Sequence, residues 1–148
     1  MPAPTNTRFA VAVHVLVYLA AVAEAGRTAP VGSEELAAST KVNAVHVRTV
    51  LGPLREAGLV RSRPGARGGW ELAVAAESLP LSRVWRLLQG DDPVLGLHGP
   101  APECPVGRGV QASLERLDAE VADAVEARLA GVTVAALAAG IDLAATTR

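Results

Sequence analysis

Near its C-terminus the chain carries a long apolar stripe: Val106, Val110, Leu114, Leu117, Val121, Val125 and Leu129. Steps of three or four residues define one face of an α-helix, and Gln111, Glu115, Arg116, Asp118, Glu120, Asp123 and Glu126 occupy the others. The pattern predicts a helix of about 25 residues, about 37 Å long at the standard rise, opening at Pro105. Such a helix is too long to lie only against a small domain, so a dimerisation helix is expected; intramolecular packing is the alternative. Thr133 is placed to cap a last short helix, Val134–Ala139, and the tail after Asp142 is expected to fray.

A second apolar run lies at the other end. From Phe9 to Ala23 only His14 and Tyr18 interrupt it. It predicts a first helix from about Thr7 to Ala25, capped by Thr5, Asn6 or Thr7 and ended by Gly26. Being apolar nearly all round, this helix should be buried on more than one side, by a partner chain as well as by its own domain. At about 15 residues the run is short of the ~20 that span a bilayer. With Arg8 before it and Ala21-Val22-Ala23 near its end it also has some look of a secretory signal. A buried first helix is the better reading, with His14 in the core or an interface, no membrane partner and a cytoplasmic location.

Between these runs lies the stretch around which the rest is organised, Ser33–Val60. Ser33 is expected to cap a short helix with Glu34 and Glu35 in its first turn and Leu36 and Ala37 facing inward. Ser39-Thr40-Lys41 breaks the pattern, and Asn43 can cap a second helix running to about Glu56. Along it Val47, Val50, Leu51 and Leu54 make one apolar stripe, while Lys41, Val45, Arg48 and Thr49 point the other way. Gly58 ends the helix. Two short helices with a basic outer face form the helix-turn-helix pattern; plain core packing of two small helices would look similar, and the turn lacks the glycine common in such motifs.

The segment beyond Gly58 favours the helix-turn-helix. Leu59–Arg63 and Trp70–Val74 read as two strands, with Pro64-Gly65-Ala66-Arg67-Gly68-Gly69 as the tip of a hairpin. A hairpin directly after a helix-turn-helix is a wing. Its glycines let the backbone approach a partner, and Arg61, Arg63 and Arg67 suit phosphates or a narrow minor groove. Trp70 should pin the wing base to the core. Ser78–Gln89 then reads as a fourth helix, with Leu81, Val84, Trp85 and Leu88 on its core side. Gly90–Gly107, holding four Gly and four Pro, reads as a loop.

Charge sharpens this picture. The net charge of −1 conceals a basic block: within 41–67, Lys41, Arg48, Arg55, Arg61, Arg63 and Arg67 stand against Glu56 alone. A basic block on a neutral chain suits a polyanion-binding face, though a solvated charged surface would look the same. The fold class expected is mainly α with a small β-hairpin wing. Residues 1–90 would form the winged helix-turn-helix domain, 91–105 the loop, 106–140 the dimerisation helix and short C-terminal helix, and 141–148 the tail.

The apolar first helix, SEELAASTKVNAVHVRTVLGPLREAGLV, the wing RPGARGGWELA and the following LPLSRVWRLLQG together resemble the Rrf-two family of winged-helix bacterial regulators. That family includes the iron–sulfur cluster regulator, the nitric-oxide-sensitive repressor and the cysteine-metabolism repressor. The resemblance covers about residues 7–137 and is most specific from Val47-Arg48 through Ala57-Gly58-Leu59 to Gly68-Gly69. It implies a homodimeric repressor on a near-palindromic site in double-stranded promoter DNA, with the recognition helix in the major groove and the wing in the adjacent minor groove. Carried onto this chain, the recognition-helix positions are Asn43, Ala44, Val45, Arg48 and Thr49 and the wing positions Arg61, Arg63 and Arg67; Ser33 and the outward-facing Lys41 complete the candidate DNA-binding residues. A winged-helix protein–protein module without DNA contact is the alternative, against which the arginine-rich wing speaks.

Cluster-holding members use three loop cysteines, and this chain has only Cys104. No cofactor or metal is therefore expected; completion of a cluster by His98, Glu103 or Asp residues is the remote alternative. One cysteine also excludes an internal disulfide and fits a reducing compartment. Cys104-Pro105-Val106-Gly107 looks like the loop of a cluster-free branch, with Cys104 just before a helix N-terminus. Two roles stay open for it: a redox sensor, or a small buried residue closing the helix start. Nothing beside it resembles a catalytic base or oxyanion site, only His98 six residues away, so no enzyme activity is expected.

Overall fold

The computed structural model describes residues 7–144. Its elements are α1 (Arg8–Glu24), α2 (Ser33–Thr40), α3 (Ala44–Glu56), β1 (Val60–Arg63), β2 (Gly69–Leu72), a 3-10 turn at Ala76–Ser78, α4 (Leu81–Gln89), α5 (Pro105–Leu129) and α6 (Val134–Ala138). This is the expected class, a mainly helical fold with an antiparallel hairpin.

One apolar core joins α1 to α4, the wing base and α6. Val15, Leu16, Leu36, Leu51, Leu54, Leu59, Leu79 and Val84 have no more than traces of exposed surface. Each such side chain contributes roughly 1.5–3 kcal/mol by leaving water. The α3 stripe Val47, Val50, Leu51 and Leu54 is fully buried, as its spacing required. Pro53, inside α3, withholds one N–H from the ladder.

The turn of the helix-turn-helix manages without glycine because Lys41 itself takes the left-handed conformation, with φ 61°. Its N–H closes α2 by donating to the Ala37 carbonyl, and Thr40 Oγ1 donates to the Leu36 carbonyl at 2.8 Å. Ser39 and Thr40 therefore belong to the last turn of α2. Gly32 rather than Ser33 is the N-cap, and Ser33 is the first helical residue. Asn43 caps α3 as expected, its Oδ1 accepting from His46 N at 2.7 Å.

The first helix ends one residue short of Ala25, which serves as its C-cap, and begins after Thr7, whose side chain makes no capping bond; Thr5 and Asn6 lie outside the described residues. One expectation about α1 is corrected: His14 is not in the core of its own chain but exposed, bonded through Nε2 to Ser39 Oγ at 2.8 Å. Within the chain α1 is buried along one side, by Val11, Ala12, Val15, Leu16 and Leu19 through Ala21. Phe9, Val13, Val17 and Tyr18 stay half-buried and border, with Leu137, Ile141 and Leu143, an open apolar groove of about 710 Å³.

The fourth helix starts three residues later than its pattern suggested. Pro80 disfavours helix at Leu79, which is extended, and the separate 3-10 turn absorbs Ala76–Ser78. Trp85 stands edge-on to Phe9, centroids 5.3 Å apart. The chain then runs as the expected loop, whose Leu95 N–H donates to Asp118 of α5 at 2.7 Å. In α5 no residue is buried; Arg86 of α4 ties it down through Glu126 at 2.8 Å. Beyond it α6, capped by Thr133, returns to the core through Val134 and Ala138. Residues 145–148, part of the tail expected to fray, lie outside the described residues.

Candidate nucleic-acid interface

The wing is built from its register. Val60 pairs with Leu72, Arg61 with Glu71, Ser62 with Trp70 and Arg63 with Gly69. Strand alternation therefore puts Val60, Ser62, Trp70 and Leu72 on the core side, and Arg61, Arg63 and Glu71 on the other. Val31 adds a third edge, exchanging backbone hydrogen bonds of 2.8 and 2.9 Å with Trp70. Trp70 is the pin the sequence suggested: buried, with Nε1 donating to Ser33 Oγ at 3.1 Å and its ring 5.9 Å from the Arg55 guanidinium.

Two wing glycines are required by this packing. A Cβ on Gly68 would stand 1.9 Å from the Arg63 carbonyl oxygen, and one on Gly69, at φ 146°, 2.4 Å from that of Val31. Gly65, at φ 97°, is the tip residue with open space around it.

Three elements meet around a cleft of about 650 Å³ between wing and helices. Ser33 and Glu34 reach it from α2, Arg48 and Arg55 from α3, and Ser62, Arg63 and Trp70 from the wing. Of the ten positions singled out in the sequence, Ser33, Arg48 and Arg63 border it together. Lys41, Asn43, Val45 and Thr49 are exposed on the outer side of the helix-turn-helix, with Ala44 half-buried. Val45 is 65% exposed, unusual for a valine with no partner in the chain to cover it. Thr49 Oγ1 donates to the Val45 carbonyl at 3.0 Å, so its hydroxyl proton is used within the helix. Arg67 lies at the exposed wing tip. Arg48 and Arg67 make no ion pair among the described residues, whereas Arg61 and Arg63 share one oxygen of Glu71, at 2.9 and 3.1 Å. Glu71 and Arg55 join the site without being among those ten positions. The hairpin register is the signal that discloses Glu71, and it depends on the length of the tip.

A half-exposed network holds the helix-turn-helix to α1. Glu35 accepts from the Tyr18 hydroxyl and from Arg27 Nη1 at 2.8 Å, while Arg27 also donates to the Ala29 and Pro30 carbonyls. The Arg27 hydrogen bond holds the Glu35 carboxyl below the usual carboxylate range, against the effect of burial, and the Tyr18 hydroxyl adds to it. The bond to Glu35 pushes the Tyr18 phenol up.

Cys104 is exposed rather than buried, and it closes the helix start: its Sγ accepts from Gly107 N at 3.4 Å as the N-cap of α5. Among the described residues no three His, Cys, Asp or Glu side chains gather as metal ligands. The chain's single thiol is engaged in capping α5. Among the described residues no helix is long and apolar enough to cross a membrane.

Comparison with known proteins agrees with this geometry. The Rrf2 family model, described as an iron-dependent transcriptional regulator, matches residues 5–140. The chain is 32% identical over 126 residues to YwnA of Bacillus subtilis (strain 168), an inferred HTH-type transcriptional regulator, covering 84% of this chain and 90% of YwnA. A crystal structure from Lactobacillus plantarum, of an inferred transcriptional regulator, superposes with a TM-score of 0.72 at 28% identity over 90% of this chain and 88% of that one. The oxidised form of Staphylococcus aureus CymR superposes with a TM-score of 0.64 at 25% identity over 95% and 99% of the two chains. With the family model matching most of its length and YwnA 32% identical, the chain belongs to the Rrf2 family of transcriptional regulators, a family of regulators and not of enzymes.

Proposed function

We propose that this regulator is a cytoplasmic, homodimeric repressor that binds a near-palindromic promoter site in double-stranded DNA. The observation that carries the reading is the convergence of Ser33, Arg48 and Arg63 from three elements on one cleft, with Lys41, Val45 and Arg67 exposed on the same motif and wing. In this reading α3 enters the major groove. Arg48, which has no ion pair among the described residues, reads a base there, with Val45 and the Thr49 methyl against apolar base edges. Asn43 and Ala44 at the α3 N-terminus, Ser33 at that of α2, and Lys41 contact phosphates. The wing places Arg61, Arg63 and Arg67 along the adjacent minor groove or its phosphates.

The dimer is supported by what the chain leaves uncovered. Val106, Val110 and Leu117 on α5 are 72%, 42% and 49% exposed, on a 25-residue helix none of whose residues is fully buried in its own chain. The apolar groove along α1 is a second uncovered face, so a partner copy has both a stripe and a groove to fill. Cys104, exposed at the first turn of α5, would sense oxidant: a peroxide oxygen transfers to the thiolate, giving a sulfenic acid and releasing hydroxide. No cofactor enters this account.

Selection of bound fragments from the parent genome tests it. Enrichment of a motif with two half-sites about one helical turn apart is the expected result. Salt-insensitive capture of a protein, with no enriched DNA motif, would favour a winged-helix protein–protein module instead.

A further inference from the structure

Wing arginines offered to DNA would ordinarily be expected to stand free. Among the described residues only Arg67 does; Arg61 and Arg63 converge on Oε1 of Glu71, which pairs with Arg61 across the strands and lies two residue pairs along the ladder from Arg63. Both pairings engage Nε, the guanidinium nitrogen nearest the chain, and the terminal nitrogens carry no hydrogen bond among the described residues. The arginine side chains are 60% and 61% exposed and the Glu71 side chain 21%. An ion pair so open to water adds little to stability, so fold maintenance gives it small purpose.

We propose that Glu71 is a specificity-determining residue of the wing, resting on the DNA-binding reading above. It offsets one of two arginine charges on this face and holds both guanidiniums by Nε with their terminal nitrogens free to donate. The first effect weakens attraction to any phosphate backbone, which depends on net charge and salt. The second lowers the side-chain entropy lost when the arginines engage a groove of the right width. Together they widen the gap between operator and random-sequence DNA. The Arg61 hydrogen bond also holds the Glu71 carboxyl below the usual range, keeping it charged at neutral pH.

The test compares the full-length wild type with Glu71→Gln, Glu71→Ala and Arg67→Gln, each binding an operator duplex and a random duplex across a salt series. Glu71→Gln keeps the acceptor oxygen and the volume, so it preserves the hairpin even if the alanine variant loosens it. It should tighten random-duplex binding and steepen its salt slope by about one. Glu71→Ala should in addition weaken operator binding, and in both the operator-to-random ratio should fall by about tenfold, roughly 1.4 kcal/mol. Unchanged ratios in both variants, beside a flattened slope in Arg67→Gln, would overturn the role of Glu71 while leaving DNA binding intact. Absence of salt-dependent duplex binding by the wild type would overturn both.

Discussion

Trp70 Nε1 donates to Ser33 Oγ across 3.1 Å, joining the second strand of the wing to the first residue of α2. The bond fixes the wing against the helix-turn-helix, since the same indole lies under Arg55 of α3. Trp70→Phe keeps most of the buried ring and loses the donor. It should cost about 0.5–1.5 kcal/mol in chemical denaturation. Trp70→Ala should cost about 3–5 kcal/mol through the cavity. Equal stabilities for the phenylalanine variant and wild type would mean the bond contributes nothing.

The α5 stripe leads to a second expectation. Leu117→Arg changes a half-exposed residue, so the fold should survive, but it places a charge where a second copy is proposed to pack. Sedimentation should show a monomer with wild-type circular dichroism and weakened binding to a two-half-site duplex. A dimer of undiminished strength would move the interface elsewhere.

Cys104 supplies a third. Peroxide should lower promoter affinity of the wild type, and a thiol reductant should restore it, while Cys104→Ser should not respond. The serine hydroxyl can still accept from Gly107 N, so the start of α5 should hold. Identical peroxide responses in the two proteins would remove the sensor.

Acid stability depends on Glu35. Its carboxyl titrates lower in the folded chain than in the unfolded one, chiefly because Arg27 donates to it. A depressed carboxyl contributes stability that is present above its unfolded value, about 4.3, and lost as pH falls through the folded value. Glu35→Gln should therefore flatten the loss of thermal stability below about pH 5 relative to wild type. Parallel pH profiles would show that the network with Arg27 and Tyr18 does not set acid tolerance.

Much of this architecture was legible in the chain because it rests on periodicity. The stripes of α3 and α5 and the pin at Trp70 follow from spacing and side-chain size. Conformations chosen by tertiary context were not legible. Lys41 takes a left-handed turn where glycine would be usual, and Pro80 delays α4 by breaking an apolar pattern that ran through it. At the site, exposure of Val45 and Arg48 followed from the helical wheel. The sharing of Glu71 by two arginines did not, because it needs the hairpin register, and Ser33 was assigned a cap that Gly32 provides. The side of α1 left open by its own chain was anticipated from composition, whereas His14 found Ser39 at the surface.

The most direct test of DNA recognition through α3 and the wing is the salt dependence of operator affinity for the Arg48→Ala, Arg67→Ala double variant. Loss of a base-reading Arg48 should cost about 1–3 kcal/mol and relax specificity at one base pair. Loss of a phosphate contact at Arg67 should flatten the salt slope by about one. Wild-type affinity and slope in the double variant would contradict the account.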